Sequence, residues 1–220
     1  MRRRLHYNRR AAKSGTARSL VVFLHGYGAD GADLLGLAEP FAPHLPDTVF
    51  VAPDAPEPCP GNPSGFQWFP IPWLDGSSEA VAASGLAHAA DDLSGFLDMV
   101  MQAERVAPAQ TMLIGFSQGT MIALHVAPRR MEMLAGVIGF SGRLLAPERL
   151  STEVLSKPPI LLVHGDLDNV VPPADMLRAA TALSEAGFDV ATHSSRGTAH
   201  GIAPDGLTLA LAFLRKHLTA

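Results

Sequence analysis

The pentapeptide Gly115-Phe116-Ser117-Gln118-Gly119 places a serine between an apolar run, 111–114, and a run suited to a helix, 121–127. These residues predict a strand, a sharp turn and a helix, with Ser117 at the apex of the turn. The backbone of such a serine is strained and its hydroxyl is exposed, and strand and helix approach too closely for bulky neighbours. Ser117 is therefore a candidate nucleophile for acyl transfer.

A second Gly-x-Ser segment, Gly139-Phe140-Ser141-Gly142, provides an internal comparison. It also follows an apolar run, 134–138, but Arg143 stands where the closing glycine would be. A long charged side chain would crowd the turn, and the following residues lead into Pro147 rather than into a helix. We therefore interpret Ser141 as a loop residue at the end of a strand and prefer Ser117.

A serine hydroxyl needs a base within hydrogen-bonding distance and a third group that orients the base. Among nine histidines, His200 is preferred because it lies in a loop between the last predicted strand and the last predicted helix. His193 is the alternative, although it continues a strand pattern. His25 and His164 each end a strand, where hydrogen bonds to loop backbone are expected. The remaining five are expected to be solvated or structurally satisfied: His6, His44, His88, His125 and His217.

The orienting acid should follow a strand in the loop 164–172, which contains Asp166 and Asp168. Asp166 comes directly after a His-Gly pair, a position suited to a turn acceptor. Asp168 lies further along the loop and is freer to reach an imidazole, so it is preferred. A divalent metal site at His164, Asp166 and Asp168 is disfavoured because the sequence shows no source of further carboxylate ligands. No metal or cofactor is expected.

Acyl transfer also needs two hydrogen-bond donors for the oxyanion that forms on the attacked carbonyl. One expected donor is the backbone N–H of Gln118, directly after the nucleophile. The other should come from the loop after an earlier strand, where the glycines of His25-Gly26-Tyr27-Gly28 allow the backbone to turn its amides inward. We expect the N–H of Tyr27 to be this second donor.

Short apolar runs alternate with longer helical patterns along the chain. Strands are predicted at 19–24, 48–51, 111–114, 134–140, 160–163 and 188–192, and helices at about 31–42, 78–104, 118–127, 173–186 and 204–217. Nearly continuous apolar strands separated by crossover helices indicate an α/β fold with a mostly parallel central sheet covered on both faces. Residues 141–158 are too few for a large cap domain, which predicts an open site.

The segment from Pro53 to Gly76 is the longest that is predicted to lack regular structure. It contains seven prolines together with Phe66, Trp68 and Trp73. Long loops of this kind are often functional, and the aromatic content disfavours disorder. We expect these three side chains, with help from Leu144 and Leu145, to form the wall that contacts the substrate. A cluster that only covers the sheet is the alternative.

The chain has 220 residues, 47% of them hydrophobic, which predicts a single domain over 18–220 preceded by a basic arm over 1–17. The first 18 residues carry seven of the 17 basic residues and no acid, and the rest carries ten basic against 21 acidic residues. An acidic body argues against nucleic-acid binding, so we interpret the arm as a solvated, partly disordered terminus. None of the apolar stretches is long enough to predict stable insertion into a membrane.

The lone Cys59 and the lack of an apolar run after Met1-Arg2-Arg3-Arg4 predict a cytoplasmic protein. The sequence leaves the oligomeric state open between a monomer and a homodimer.

With these residues assigned, the chain resembles the phospholipase/carboxylesterase family of α/β-hydrolases, which includes acyl-protein thioesterases and small bacterial carboxylesterases. The resemblance covers residues 18–217. It is carried by the segments 23–30, 52–56, 68–69, 115–119, 140–142, 164–168 and 200–201, of which Gly115-Phe116-Ser117-Gln118-Gly119 is the most specific. One departure is visible: the family's tryptophan motif is commonly followed by an aspartate, and here Phe69-Pro70-Ile71-Pro72 follows Trp68.

The resemblance implies that Ser117, Asp168 and His200 are catalytic and that Tyr27 and Gln118 form the oxyanion hole. It implies a serine hydrolase that cleaves carboxylic esters or thioesters with small to medium acyl chains through an acyl-enzyme, acting on a small-molecule substrate. The alternatives are a peptidase or amidase with the same triad, and a binding protein that has the fold without the activity.

Overall fold

A seven-stranded sheet forms the centre of the computed structural model, which describes residues 2–218. The strands are β1 (Tyr7–Arg10), β2 (Ser19–Leu24), β3 (Thr48–Pro53), β4 (Glu57–Cys59), β5 (Asn62–Gln67), β6 (Thr111–Phe116), β7 (Gly136–Phe140), β8 (Ile160–Gly165) and β9 (Val190–Ser195). The central sheet has the order β1-β3-β2-β6-β7-β8-β9, and β4 and β5 form a separate hairpin. All neighbours in the central sheet are parallel except β1, which runs antiparallel to β3.

The helices are α1 (Gly31–Leu35), α2 (Ala38–Phe41), α3 (Pro72–Asp75), α4 (Glu79–Glu104), α5 (Gln118–Val126), α6 (Leu150–Glu153), α7 (Ala174–Glu185) and α8 (Pro204–Leu218). Four of the five predicted helices correspond closely to α4, α5, α7 and α8. The fifth, predicted over 31–42, is interrupted and forms the two short helices α1 and α2.

Both faces of the sheet are covered, as the apolar strands predict. Along β2, Leu20, Val22 and Leu24 belong to one buried cluster with side chains of α4, α5 and α7. The intervening residues, Val21 and Phe23, belong to a second cluster with side chains of α1, α2 and α8. Successive residues of a strand point to opposite faces, so the five inner strands, β2, β3, β6, β7 and β8, supply both cores. The expectation of an α/β fold with a mostly parallel sheet is confirmed.

The N-terminal segment is not the solvated, partly disordered arm that its composition suggests. Its residues 7–10 form β1 and pair with β3. Several of its basic side chains contact acids of the body: both Arg3 Nε and the Arg3 backbone N–H donate to the buried carboxylate of Asp92, each at 2.7 Å, and Arg9 donates to Glu104 at 2.7 and 2.9 Å. Charge complementarity therefore orders this part of the chain.

The segment 53–76 has more regular structure than expected. The hairpin of β4 and β5 and the one-turn helix α3 lie within it. Between β7 and β8 the chain forms one 3-10 turn and the four-residue helix α6, so no large cap lies over the sheet. Within residues 2–218, none of the helices combines the length and the apolar character needed to cross a membrane.

Candidate active site

Ser117 lies between the end of β6 and the start of α5 and has the backbone angles φ 52° and ψ −114°. A residue other than glycine seldom adopts such angles, and holding it there costs on the order of 1–3 kcal/mol. The surrounding structure supplies part of the restraint, because the Ser117 backbone N–H donates to the carbonyl of Phe140 at 2.8 Å. The strained turn predicted from the pentapeptide is confirmed.

Two glycines make this turn sterically feasible. A Cβ atom on Gly119 would lie 1.8 Å from the carbonyl oxygen of Leu24, and one on Gly115 would lie 2.4 Å from the backbone of Gly119. Both distances are far below van der Waals contact, so no larger residue fits without moving β2, β6 or α5. The close approach of α5 to the sheet explains the Gly-x-Ser-x-Gly pattern.

His200 follows β9 and precedes α8, and its Nδ1 forms a hydrogen bond of 2.8 Å with Oδ2 of Asp168. The imidazole also packs on the ring of Phe116, next to Ser117, with 4.9 Å between ring centroids. Because Nδ1 is occupied by the carboxylate, Nε2 remains available to a serine hydroxyl. The structure thus pairs the histidine and the aspartate that the sequence indicated.

Asp168 is buried, with its side chain fully excluded from solvent. Its Oδ1 accepts the backbone N–H groups of Val170 and Val171, each at 2.9 Å, while its Oδ2 faces His200 and also lies 3.2 Å from Nε2 of His164. Burial raises the pKa of the Asp168 carboxyl, but the hydrogen bonds from His200, Val171 and Val170 outweigh burial and lower that pKa below its usual value. The carboxylate is therefore ionised at neutral pH.

The other histidines considered as bases have structural partners. His25 donates from Nδ1 to the carbonyl of Gly26 at 2.8 Å and accepts the Ala55 N–H on Nε2 at 2.9 Å, and its burial lowers its pKa. His164 contacts the carbonyl of Val171 at 2.9 Å, as expected for a strand-end histidine. His193, the alternative base, pairs instead with Asp205 at 2.7 Å.

Asp166 differs clearly from Asp168. Its exposed carboxylate accepts the N–H of Gly197 at 2.7 Å, a residue distant in the chain, rather than a local turn N–H as its position suggested. The local turn acceptor is Asp168 instead, through the N–H groups of Val170 and Val171. Among the described residues, no group of three or more His, Cys, Asp or Glu side chains has an arrangement suited to a metal ion.

The two expected oxyanion donors belong to different elements of the fold. Gln118 is the first residue of α5, so its N–H has no partner within the helix. Tyr27 lies in the loop that follows β2, and both Tyr27 and Ser117 line the same cavity. The positive end of the α5 dipole adds to the stabilisation of negative charge at this position.

The β4-β5 hairpin holds the loop that contains Tyr27, a contact that no pattern in the sequence predicts. Gly28 N–H donates to the carbonyl of Phe66, and Phe66 N–H donates to the carbonyl of Ala29, both at 2.8 Å. Asn62 Nδ2 donates to the Gly28 carbonyl at 2.8 Å. The approach is so close that a Cβ on Gly65 would lie 2.0 Å from the Gly28 carbonyl oxygen.

Side chains connect the two donor residues to the same part of the chain. The Tyr27 hydroxyl contacts the buried Cys59 of β4, and burial, followed by this contact, raises the pKa of Tyr27 to about 12. The Gln118 side chain accepts a hydrogen bond from the backbone N–H of Trp68 at 2.9 Å and donates one to the Phe69 carbonyl at 2.7 Å. Residues 57–69 therefore position both donors. The only signal for this in the sequence is the Trp68-Phe69 segment, one of those that carry the family resemblance.

A cavity of about 280 Å³ lies beside Ser117 and His200. Its walls are largely apolar, and Asp33 is the one acidic residue among the lining residues. The apolar lining includes Leu34, Ile71, Trp73, Leu74, Met121, Val170 and Val171. A wider groove of about 630 Å³ lies elsewhere, between α4 and the segment 125–132, but arginine–carboxylate pairs line it and it does not include Ser117.

The expected substrate wall is corrected in part. Trp73 lines the cavity, as expected, and is half-exposed. Trp68 is completely buried, and its indole N–H donates to the His25 carbonyl at 3.0 Å, so it is a core residue that cannot contact a substrate. The remaining three side chains, Phe66, Leu144 and Leu145, pack against the core and are not among the cavity-lining residues.

A strained serine, a buried carboxylate and an imidazole, in the chain order Ser117, Asp168, His200 and on a mostly parallel sheet, are typical of α/β-hydrolases. The comparison with protein families agrees: the phospholipase/carboxylesterase model matches residues 6–218. The chain belongs to the phospholipase/carboxylesterase family.

Individual relatives agree with this assignment. The chain is 30% identical to the esterase YpfH of Escherichia coli over 203 residues, which cover 90% of this chain and 83% of that protein. It is 28% identical to acyl-protein thioesterase 1 of Saccharomyces cerevisiae, with 96% and 97% coverage. The crystal structure of esterase PE8 superimposes with a TM-score of 0.93 and 46% identity, covering 98% of this chain and all of that one.

Proposed function

We propose that the protein is a serine hydrolase that cleaves carboxylic esters or thioesters of small to medium acyl chain length through an acyl-enzyme. The observation that carries this proposal is the hydrogen-bonded pair of His200 and the buried Asp168 at a cavity that Ser117 also lines. Family membership supports it independently.

In the proposed reaction, Nε2 of His200 takes the proton of the Ser117 hydroxyl as its oxygen attacks the substrate carbonyl carbon. The negative charge that develops on the carbonyl oxygen is stabilised by the N–H groups of Tyr27 and Gln118. The protonated imidazole, stabilised by Asp168, then gives its proton to the departing alcohol or thiol. A water molecule repeats the sequence on the acyl-serine, which releases the acid and restores the hydroxyl.

The cavity supports the restriction to modest acyl chains. About 280 Å³ with apolar walls accommodates a few methylene groups beyond the carbonyl, each contributing about 0.8 kcal/mol on burial. Atoms beyond this length extend into solvent and contribute little. Trp73 and Leu74, both about half-exposed, form the outer part of this wall.

The test is a comparison of substrates and of serine variants. Wild-type protein should hydrolyse p-nitrophenyl esters and react stoichiometrically with a fluorophosphonate probe, and Ser117→Ala should do neither. Cleavage of peptide amides in preference to esters would favour the peptidase alternative. A wild-type protein that neither turns over esters nor reacts with the probe would favour a binding protein.

Several expectations stay predictions. These are the single domain over 18–220, the independence from metals and cofactors, the cytoplasmic location indicated by the lone Cys59, the lack of nucleic-acid binding, and the choice between monomer and homodimer. The catalytic mechanism does not depend on the last three.

A further inference from the structure

Trp73, the one aromatic side chain of the expected wall that lines the cavity, is stacked on a guanidinium group. The Arg143 Cζ lies 4.5 Å from the centroid of the indole ring. Arg143 itself is not a lining residue, so it contacts the indole from outside the cavity. A guanidinium at this distance attracts the ring electrostatically.

Arg143 is in turn fixed by an acid. Its Nη2 lies 2.7 Å from Oδ2 of Asp175, and the two side chains are 27% and 11% exposed. Asp175 stands in the first turn of α7, directly after the loop that supplies Val170 and Val171 to the cavity. The contacts Trp73–Arg143–Asp175 therefore connect one lining side chain of the cavity to the helix that follows the loop with two others.

Within residues 2–218, the Trp73 side chain makes no hydrogen bond. It lies on α3, a helix of one turn, whose hydrogen bonds with Asp75 are local: Ile71 N–H and Ser77 N–H both donate to that carboxylate. About half of the Trp73 surface is exposed to solvent. An exposed aromatic side chain on so short a helix would sample other rotamers unless a neighbour held it.

We propose that Arg143 is a positioning residue that sets the acyl-chain preference by holding the Trp73 indole as the outer wall of the cavity. The inference rests on the proposed ester hydrolysis. Arg143 touches neither the reacting atoms nor the triad, so its loss should alter the binding of the acyl chain and leave the chemical step intact. Arg143, which stands in the Ser141 segment where the Ser117 segment has its closing glycine, thus has a role at the cavity.

The test compares kcat/KM for p-nitrophenyl hexanoate and acetate in Arg143→Met, Arg143→Lys and Arg178→Met. Arg178 is the matched control, because it pairs with the same Asp175 at 2.8 Å but is 76% exposed and makes no contact with Trp73 in the described structure. We expect Arg143→Met to lower the hexanoate-to-acetate ratio about two- to fivefold, which corresponds to about 0.5–1 kcal/mol. The loss should appear in KM for hexanoate, Arg143→Lys should restore part of it, and Arg178→Met should leave the ratio unchanged.

A double variant tests whether Arg143 acts through the indole. Trp73→Ala should lower the same ratio, and adding Arg143→Met to it should have no further effect. An unchanged ratio in Arg143→Met, equal losses on both esters, or additive effects in the double variant would overturn the proposal. If Arg143→Met does not fold, Asp175→Asn replaces it in the test. That variant must then lower the hexanoate-to-acetate ratio of kcat/KM.

Fluorescence separates this proposal from the proposed function. Trp68 is completely buried, so acrylamide quenching reports mainly on Trp73. Arg143→Met should raise the quenching constant, and Arg178→Met should not. If the wild-type protein hydrolyses no ester, the proposed function fails and quenching alone decides: a raised constant supports the Arg143–Trp73 contact, and an unchanged constant refutes it.

Discussion

Replacing Asp168 with asparagine tests the orientation of His200 with little change in volume. The asparagine Oδ1 can still accept the N–H groups of Val170 and Val171, as the carboxylate does. Its amide NH2 would then replace Oδ2 and present a donor to Nδ1 of His200, which now bonds to that oxygen at 2.8 Å. His200 would have to place its proton on Nε2, where it could no longer accept the proton of Ser117.

The expected magnitude follows from what is lost. The variant removes the preferred tautomer and the negative charge that stabilises the imidazolium, and in Ser-His-Asp hydrolases the corresponding change lowers kcat by up to about 10⁴-fold. His164 Nε2, 3.2 Å from Oδ2, would also face the new amide donor. We predict a loss of about 10²- to 10⁴-fold in kcat, equivalent to roughly 3–5 kcal/mol of transition-state stabilisation.

The assay is steady-state hydrolysis of p-nitrophenyl acetate, with circular dichroism to check folding. Asp166→Asn is the matched control: it lies two residues away, and the amide oxygen can still accept the Gly197 N–H. We expect the control to retain activity within a few-fold of wild type. A folded Asp168→Asn protein with nearly wild-type kcat, or a larger loss in Asp166→Asn, would refute the assignment of the acid.

Further predictions concern the nucleophile, the hairpin, a buried histidine and metals. Ser117→Ala should reduce kcat by several orders of magnitude, while Ser141→Ala should leave it largely intact; comparable losses would mean that the wrong turn was chosen. Gly65→Ala should lower kcat by about tenfold or more by displacing the loop with Tyr27, whereas Gly61→Ala, whose Cβ would meet nothing within 4 Å, should not. Burial, with the charge of Arg129, lowers the pKa of His125 to about 4, so folding favours the neutral imidazole and the free energy of unfolding should fall as pH drops from about 6.5 towards 4. In urea unfolding between pH 7 and pH 5, the wild-type protein should lose roughly 2 kcal/mol more of this free energy than His125→Leu. Equal losses in the two proteins would refute this. EDTA should leave ester hydrolysis unchanged, and a loss restored by a divalent ion would contradict the mechanism.

The sequence predicted the central sheet and the His200–Asp168 pair because their signals are local. Continuous apolar runs identify buried parallel strands, and the loops after such strands meet at one edge of the sheet. A histidine placed after β9 and an aspartate placed after β8 are therefore brought to the same edge of the sheet. The glycines around Ser117 carry a similarly local signal, since their close contacts lie within the strand–turn–helix unit and the adjacent β2.

The contacts that the sequence did not predict depend on partners distant in the chain. β1, Tyr-Asn-Arg-Arg, has no apolar periodicity. It forms a strand where β3 offers an edge and Glu104 pairs with Arg9, and Asp92 binds Arg3 ahead of it. The hairpin strand β5 begins Asn-Pro-Ser-Gly, a composition that disfavours strands, and its pairing with the loop after β2 is tertiary.

The two tryptophans illustrate the same limit. Trp68 and Trp73 stand five residues apart in one segment, yet one is completely buried and the other half-exposed. The turn through Pro70 and Pro72 into α3 decides which indole faces the core, and no periodic pattern records that turn.

The central claim is that Ser117 carries the acyl group during turnover. Rapid quenching of the protein during hydrolysis of p-nitrophenyl hexanoate, followed by intact-mass measurement and peptide mapping, tests this most directly. The account predicts a hexanoyl adduct on the peptide that contains Ser117, which accumulates within one turnover, disappears when substrate is exhausted, and is absent in Ser117→Ala. A stable adduct on another residue, or full turnover by Ser117→Ala, would contradict it.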